Sequence, residues 1–168
     1  MLIDNNNSNP KIFEWINKYT SEGKFDIITG YFTIGALAYI SKEINGKVDK
    51  FNIVLGDFVN KESEEEHGLD LLNENISVDG AIQLSNVAKE AVEFLKQDKV
   101  TAKTLEPNFC HAKAYIFNAE DQDPQKSYFI TGSSNLTEAG MGLRQNNNAE
   151  LNIADFGSTA QFREIEQW

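Results

Sequence analysis

Two neighbouring stretches of the sequence, CHAKAYIF (residues 110–117) and SYFITGSSN (residues 127–135), decide the fold that we predict. Each contains a run rich in aromatic and β-branched residues, AYIF in the first and YFIT in the second, and such runs are typical of strands. A polar segment, Asn118 to Lys126, lies between the two runs and is predicted to be a loop. The pair is therefore predicted to form two neighbouring strands, with a Gly-Ser-Ser-Asn segment at the end of the second.

The first predicted strand covers residues 109–117, and alternate side chains of a strand point to opposite faces of its sheet. His111 and Lys113 therefore share one face. The opposite face is small and apolar and consists of Cys110, Ala112, Ala114 and Ile116. A single histidine on a strand is more often a structural residue than a functional one. Lysines are rare in protein cores, however, because an unpaired ammonium is costly to bury. The pair together favours an anionic ligand.

The end of the second strand supplies further polar groups, Gly132-Ser133-Ser134-Asn135. A glycine followed by small hydroxyl and amide donors can surround phosphate oxygens. An ordinary Gly-Ser turn capped by Asn135 would look the same in the sequence. This segment alone therefore leaves both interpretations open.

The rest of the chain alternates helical and strand patterns before it reaches these two strands. Helices are predicted near residues 12–19, 34–46, 81–97 and 162–168, and further strands near residues 25–32, 51–56, 100–105 and 149–155. Residues 57–79 are rich in charge, Asn and Gly and are predicted to be an irregular surface loop. Helices and strands alternate first and strands cluster later, so we predict an α/β fold with a mixed sheet between helical layers.

The length of 168 residues suits a single domain, which we place at residues 11–168 after a flexible tail at residues 1–10. The sequence stops within an apolar helical pattern, which fits a short terminal helix and equally the N-terminal fragment of a longer protein. The single cysteine, Cys110, fits a reducing compartment. The apolar runs are too short to span a membrane and the start is Asn-rich, so we expect a cytoplasmic protein that does not bind membranes.

The charge balance limits how the chain can bind a polyanion. Lysine and arginine number 15 against 26 aspartate and glutamate residues, which gives a net charge of −11. Affinity for nucleic acid normally comes from many Lys and Arg contacts, so we expect no broad basic surface. Part of the acidic excess lies in one run, Glu62 to Glu66, which is predicted to be solvated.

Three segments in order, His111-Ala112-Lys113, Gly132-Ser133-Ser134-Asn135 and Asn148-Ala149-Glu150, resemble the catalytic signature of the phospholipase D superfamily. The strand that ends at Gly30-Tyr31-Phe32 and the helix after it are also similar to the start of these domains. The closest resemblance is to the nuclease-like branch, which occurs in metal-independent restriction endonucleases and at the ends of bacterial helicase-type proteins.

The resemblance implies a role for each of these residues. His111 would attack phosphorus, Lys113 and Asn135 would hold the non-bridging oxygens, and Glu150 would orient the imidazole. Ser133 would support the phosphate or the residues that hold it. From the residues alone, Gly132 and Ser134 are candidates for contacts with phosphate oxygens, and Arg144 could reach a substrate phosphate from a flexible Gly-rich loop, although a solvent-facing arginine is the commoner outcome. The family's chemistry needs neither a metal nor another cofactor. A thiol or metal role for Cys110 beside His111 is disfavoured, because adjacent strand residues point to opposite faces.

The sequence departs from the family pattern at two points. Asn118 occupies the position, five residues after the lysine, where the family has an aspartate that is not expected to contact substrate. The superfamily also needs two facing motifs, and the other histidine of this chain, His67, is followed by Gly-Leu. One chain therefore holds half a site, and the resemblance implies a two-fold homodimer that brings both His111 side chains together.

The expected function is hydrolysis of phosphodiester bonds, with DNA as the expected substrate, through a phosphohistidine intermediate. A second hypothesis is a weak or inactive module for nucleic-acid binding or dimerisation, attached to a helicase motor. A third is phospholipid hydrolysis, which would require an apolar membrane-facing surface.

Overall fold

The computed structural model describes residues 1–5, 9–55, 78–104, 110–121, 123–144 and 149–167, with side chains from residue 86 onward in the helix that begins at Val78. The described strands are β1 (Leu2–Ile3), β2 (Gly23–Thr29), β3 (Lys50–Leu55), β4 (Val100–Thr104), β5 (Ala114–Ala119), β6 (Tyr128–Gly132) and β7 (Asn152–Phe156). The described α-helices are α1 (Ile12–Tyr19), α2 (Ile34–Tyr39), α3 (Val78–Leu95), α4 (Glu138–Met141) and α5 (Ala160–Gln167), and a π-helical turn (Ile40–Ile44) continues α2.

The strands form one mixed sheet in the order β1-β7-β6-β5-β2-β3-β4. Strands β2, β3 and β4 are parallel, and helices α2 and α3 lie in the connections between them, as parallel strands require. The remaining pairs are antiparallel. The predicted mixed sheet is therefore confirmed, and its parallel half is the half that the sequence indicated by alternating strands with helices.

Both faces of the sheet are covered by helices. The larger cluster contains buried side chains of α1, α2 and α3 together with Tyr115 and Phe117 of β5. The smaller cluster contains Ala114 and Ile116 of the same strand, packed with Phe162 of α5. The alternation predicted for this strand is thus confirmed over residues 114–117. The predicted α/β sandwich is confirmed as well.

The beginning of the chain differs from the flexible tail that we predicted over residues 1–10. Strand β1 pairs with β7, and the Ile3 side chain is fully buried. The N-terminal ammonium donates to the Ala154 carbonyl at 2.6 Å. The prediction is wrong for this part because two apolar residues suffice for a short edge strand when a partner strand is present, and composition alone does not reveal such a partner.

Two strands begin later than predicted. The ladder of β5 starts at Ala114, so residues 110–113 precede it, and β7 starts at Asn152 although residue 149 was predicted. His67, the acidic run, most of the predicted loop at residues 57–79, Phe109, Asn148 and Trp168 lie outside the described residues. In the part of the chain that is described, no helix has both the length and the apolar character needed to cross a bilayer.

Candidate active site

The sheet brings four chain segments to one edge. Strand β5 is antiparallel to both β2 and β6, and β6 is antiparallel to β7. The residues before β5 and β7 and those after β2 and β6 therefore lie at the same end of neighbouring strands. The pairs Ala114–Thr131 and Gly132–Asn152 mark this end. The described residues of the three predicted motif segments thus lie at one edge, although 18 and 12 residues separate the segments along the chain.

His111 and Lys113 differ in exposure. His111 is exposed, whereas Lys113 is 8% exposed and donates from Nζ to the His111 carbonyl at 2.6 Å. The Thr131 hydroxyl donates to the Lys113 carbonyl at 3.0 Å and ties this segment to β6. Burial lowers the pKa of the Lys113 ammonium, and the charges of Cys110 and Glu150 act in the opposite direction. A poorly hydrated ammonium beside an exposed imidazole is suited to binding an anion.

Asn135 is held by the end of β2. Its Oδ1 accepts from the Tyr31 backbone N–H at 3.1 Å and from the Thr29 hydroxyl at 3.3 Å. Because a backbone N–H can only donate, the amide oxygen must face Tyr31. The Asn135 Nδ2 group, a donor, is therefore turned away from Tyr31, and an amide donor is what its predicted role as a phosphate ligand requires.

Gly30 is a contact point between the two segments that carry His111 and Asn135. A Cβ atom on Gly30 would lie 3.1 Å from the Cys110 carbonyl oxygen, 3.4 Å from Asn135 Oδ1 and 3.6 Å from His111 Cα. Gly30 and Thr29 were not among the predicted site residues. In the sequence they are a Thr-Gly pair at the end of a strand, and their role depends on which segments the sheet brings beside them.

Ser133 and Glu150 form a connected pair. The Ser133 hydroxyl donates to the Glu150 carboxylate and accepts from the Leu151 backbone N–H at 3.0 Å. The Ser133 N–H donates to the Leu151 carbonyl at 3.2 Å. These bonds hold Glu150 beside the end of β6, where its charge acts on Lys113. The predicted action of Glu150 on the His111 imidazole stays a prediction.

Ser134 and Gly132 shape the loop between β6 and α4. Ser134 is 1% exposed, its hydroxyl accepts from Asn152 Nδ2 at 2.9 Å, and its N–H donates to Asn152 Oδ1 at 3.2 Å. A Cβ on Gly132 would lie 2.3 Å from the Leu151 carbonyl oxygen. These contacts support the loop from inside the protein. Asn152 was not among the predicted site residues. In the sequence it is a polar residue within an apolar strand.

Arg144 follows a short helix, where we had expected a flexible loop. Helix α4 begins after Thr137, whose hydroxyl accepts from the Gly140 N–H at 2.9 Å, and it ends at Gly142 with a left-handed φ of 83°. Arg144 is exposed and pairs with Glu138 at 3.0 Å. Exposed ion pairs of this kind contribute at most about 1 kcal/mol, so a substrate phosphate could replace Glu138 as the partner.

Three other residues near this edge are Cys110, Tyr31 and Phe32. Cys110 is buried at 5% exposure, whereas Tyr31 is 44% exposed and directly follows Gly30. Phe32 packs against the core and its backbone forms a bridge with Leu136. No three His, Cys, Asp or Glu side chains among the described residues are grouped as a metal site would require.

Asn118 lies at the opposite end of β5. Five residues separate it from Lys113, which corresponds to about 17 Å along an extended strand. Its Nδ2 is buried and has no hydrogen-bond partner among the described residues. The departure from the family pattern is therefore located away from the edge that holds His111.

The fold is similar to that of a solved structure. NucT from Helicobacter pylori superposes with a TM-score of 0.52 at 14% sequence identity, over 93% of this chain and 83% of that chain. The chain has a phospholipase D-like fold. Yeast tyrosyl-DNA phosphodiesterase is also similar, with a TM-score of 0.48 and 10% identity over 92% of this phospholipase D-like chain and 31% of the yeast chain. No protein-family model and no curated protein sequence matches the chain.

Proposed function

We propose that this chain is a phosphodiesterase domain of the nuclease-like kind that hydrolyses DNA, with His111 as the nucleophile. The observation that supports this most is that the exposed His111 lies two residues before the buried Lys113, whose ammonium donates to the His111 carbonyl, at the edge where Asn135 is also held. An imidazole can act as nucleophile and as proton carrier near neutral pH. The phospholipase D-like fold agrees with this chemistry.

The proposed reaction has two steps. In the first, a His111 ring nitrogen forms a bond to phosphorus while the bond from phosphorus to the leaving oxygen breaks, and that oxygen takes a proton from a second histidine. In the second step, water gives its proton to that second histidine and attacks phosphorus, which breaks the bond to His111. Lys113 and Asn135 stabilise the charge on the non-bridging oxygens in both steps.

The second histidine is the His111 of another copy of the chain in this proposal. The sequence contains one His-x-Lys segment, so one chain supplies either the nucleophile or the acid. A two-fold homodimer supplies both, and a monomer would have no group to protonate the leaving oxygen. In this proposal the site needs no metal or other cofactor, and the domain works in the cytoplasm, either alone or joined to a helicase motor.

The decisive experiment compares the wild-type chain with His111→Ala on single-stranded and double-stranded DNA in excess chelator. Loss of a covalent nucleophile should lower the rate by at least about 10³-fold. Because His111 is exposed, the melting temperature should remain within about 2 °C of the wild-type value. Equal cleavage by both chains would disprove the role of His111.

Trapping of the intermediate tests the same proposal independently. Denaturing the wild-type chain during turnover of end-labelled DNA should leave label on the protein through an acid-labile, alkali-stable phosphoramidate bond, and His111→Ala should carry none. A chain that binds DNA but shows neither turnover nor adduct would instead be the binding or dimerisation module of our second hypothesis.

A further inference from the structure

Exposed apolar side chains concentrate at one edge of the sheet. The large hydrophobic residues that are exposed in the described part of the chain are Met1, Leu2, Tyr31, Ile34, Val92, Leu151 and Ile153. Four of these seven belong to β1, to β7 or to the residues directly before these strands, so they are not scattered singly over the surface. A concentration of this kind marks an interaction surface more often than chance exposure does.

Three of them lie on the same face of the sheet. Leu2 is the cross-strand partner of Ile153, which in turn pairs with Thr131, and directly opposite residues point to the same face. Leu151 precedes Ile153 by two residues and follows the same alternation. We call Leu2, Leu151 and Ile153 the edge patch. Their exposures are 51%, 64% and 54%, so α5, which packs on this face of the sheet further along, leaves them uncovered.

The edge patch is continuous with the candidate active site. The Leu151 N–H donates to the Ser133 hydroxyl at 3.0 Å, and that hydroxyl donates to Glu150. Thr131, the neighbour of Ile153, pairs on its other side with Ala114, three residues after His111. A molecule that covers the edge patch would therefore lie beside the residues proposed to hold the phosphate.

We propose that the edge patch is the surface on which a second copy of this chain docks, with the two-fold axis between Leu151 and His111. The inference rests on the proposed function, because the proposed site is incomplete without a second His111 and the patch adjoins it. An isologous contact places the same patch on both chains, so three apolar side chains meet three others. The patch exposes on the order of 300 Å² of apolar surface, which suits the apolar centre of an interface of about 800 Å² per chain with a polar rim.

The charge of the chain favours this occupant over an anionic one. The three side chains are uncharged and offer a phosphate no partner, and the net charge of −11 disfavours a polyanion or an anionic membrane wherever Lys and Arg are lacking. Two copies repel one another too, but the repulsion is screened by salt while the apolar contact is not. The dimer should therefore become tighter between 50 and 500 mM salt, in contrast to DNA binding, which weakens over this range.

The test is sedimentation equilibrium of the wild-type chain and of the double variant Leu151→Asp/Ile153→Asp. We expect a wild-type dimer and a dissociation constant at least tenfold higher for the double variant, with similar melting temperatures because both side chains are exposed. The matched control is Val92→Asp on α3, an apolar residue of 48% exposure outside the patch, which should stay dimeric.

Three outcomes would overturn the inference. They are a wild-type chain that is monomeric at all concentrations, a double variant as dimeric as the wild type, and wild-type binding to phosphatidylcholine vesicles that the double variant loses without a change in mass. Failure of the proposed function is distinguishable from these. A wild-type dimer that the double variant dissociates, but that cleaves no phosphodiester, would support the interface and reject the hydrolase.

Discussion

The two ends of β5 differ in what surrounds them. Before Ala114, the chain carries His111 and Lys113 to an edge where residues next to β2, β6 and β7 also supply side chains. Gly132 at this edge permits a contact with the Leu151 carbonyl that is too close for any Cβ. After Phe117, Asn118 has a buried amide nitrogen without a partner among the described residues. The end at Asn118 is tightly packed as well, since a Cβ on Gly23 would lie 2.1 Å from the Asn118 carbonyl oxygen and the Ala119 N–H donates to the Ser127 hydroxyl at 3.1 Å. The two ends therefore differ in the polar side chains they bring together. The departure from the family pattern falls at the end away from His111, so we expect it to affect stability more than chemistry.

Replacement of Lys113 by Met should give the largest effect that this comparison predicts. Removing the ammonium should lower kcat/KM for DNA by about 10²- to 10³-fold, the range found for loss of one charge-stabilising donor. Stability at pH 7 should stay equal or rise, because folding buries the ammonium and lowers its pKa. Activity assays and denaturant unfolding measure the two effects. A large loss of stability without loss of activity would contradict the placing of Lys113 in the candidate active site.

The pH dependence provides a control on the same residue. Since the pKa of Lys113 lies below its ordinary value of 10.5, kcat/KM should fall on the alkaline side before pH 10.5 is reached. The native chain loses this proton before the unfolded chain does, so the stability of the wild type relative to Lys113→Met should rise between the lowered pKa and 10.5. In Lys113→Arg, any residual activity should lack this alkaline fall, because arginine keeps its charge.

Gly30→Val should reduce activity by roughly tenfold or more, because side-chain atoms would push apart the segments that carry His111 and Asn135, and misplacement by about 1 Å can cost up to 10²-fold. The matched control is Gly46→Ala, since a Cβ there meets nothing within 4 Å. The measurements are the enzymatic activity and the circular dichroism spectrum of both variants. Equal activity in the two would show that the close contact at Gly30 does not position the site.

Glu150→Gln should have a smaller effect, a loss of about 3- to 30-fold in kcat, because glutamine can still accept from Ser133 but carries no charge to act on Lys113. The alkaline limb assigned to Lys113 should move to lower pH in this variant, because Glu150 raises that pKa. A pH profile of kcat/KM measures the shift. A limb that moves to higher pH would contradict the assignment.

Asn118→Asp, which restores the residue of the family pattern, should change activity by less than about twofold. It places a carboxylate oxygen where the buried Nδ2 has no partner among the described residues, and an unpaired charge costs more to bury than an unsatisfied amide, so the free energy of unfolding should fall. Kinetic assays measure the activity, and denaturant unfolding measures the stability. A tenfold gain in activity would show that the two ends of β5 are coupled.

Local patterns were sufficient for several predictions. The 3.6-residue spacing of apolar positions predicted α1 and α3, and alternation predicted that Tyr115 and Phe117 face one core cluster while Ala114 and Ile116 face the other. These features depend on residues close together in the chain. The same alternation predicted that His111 and Lys113 share one face of a strand, but residues 110–113 precede the β5 ladder, so this stays a prediction.

The sequence by itself thus determined the class of fold, the order of the strands and helices from α1 onward apart from α4, and the short segments that carry the candidate chemistry. Only the tertiary structure decided that Gly30 and Asn152 support that site, that Leu2 and Ile3 form an edge strand, and that an apolar patch lies beside Glu150. The physical reason is the range of the contacts involved. Gly30 meets Cys110 and Leu2 meets Ile153 across long stretches of chain, and their pairing depends on the register of the whole sheet.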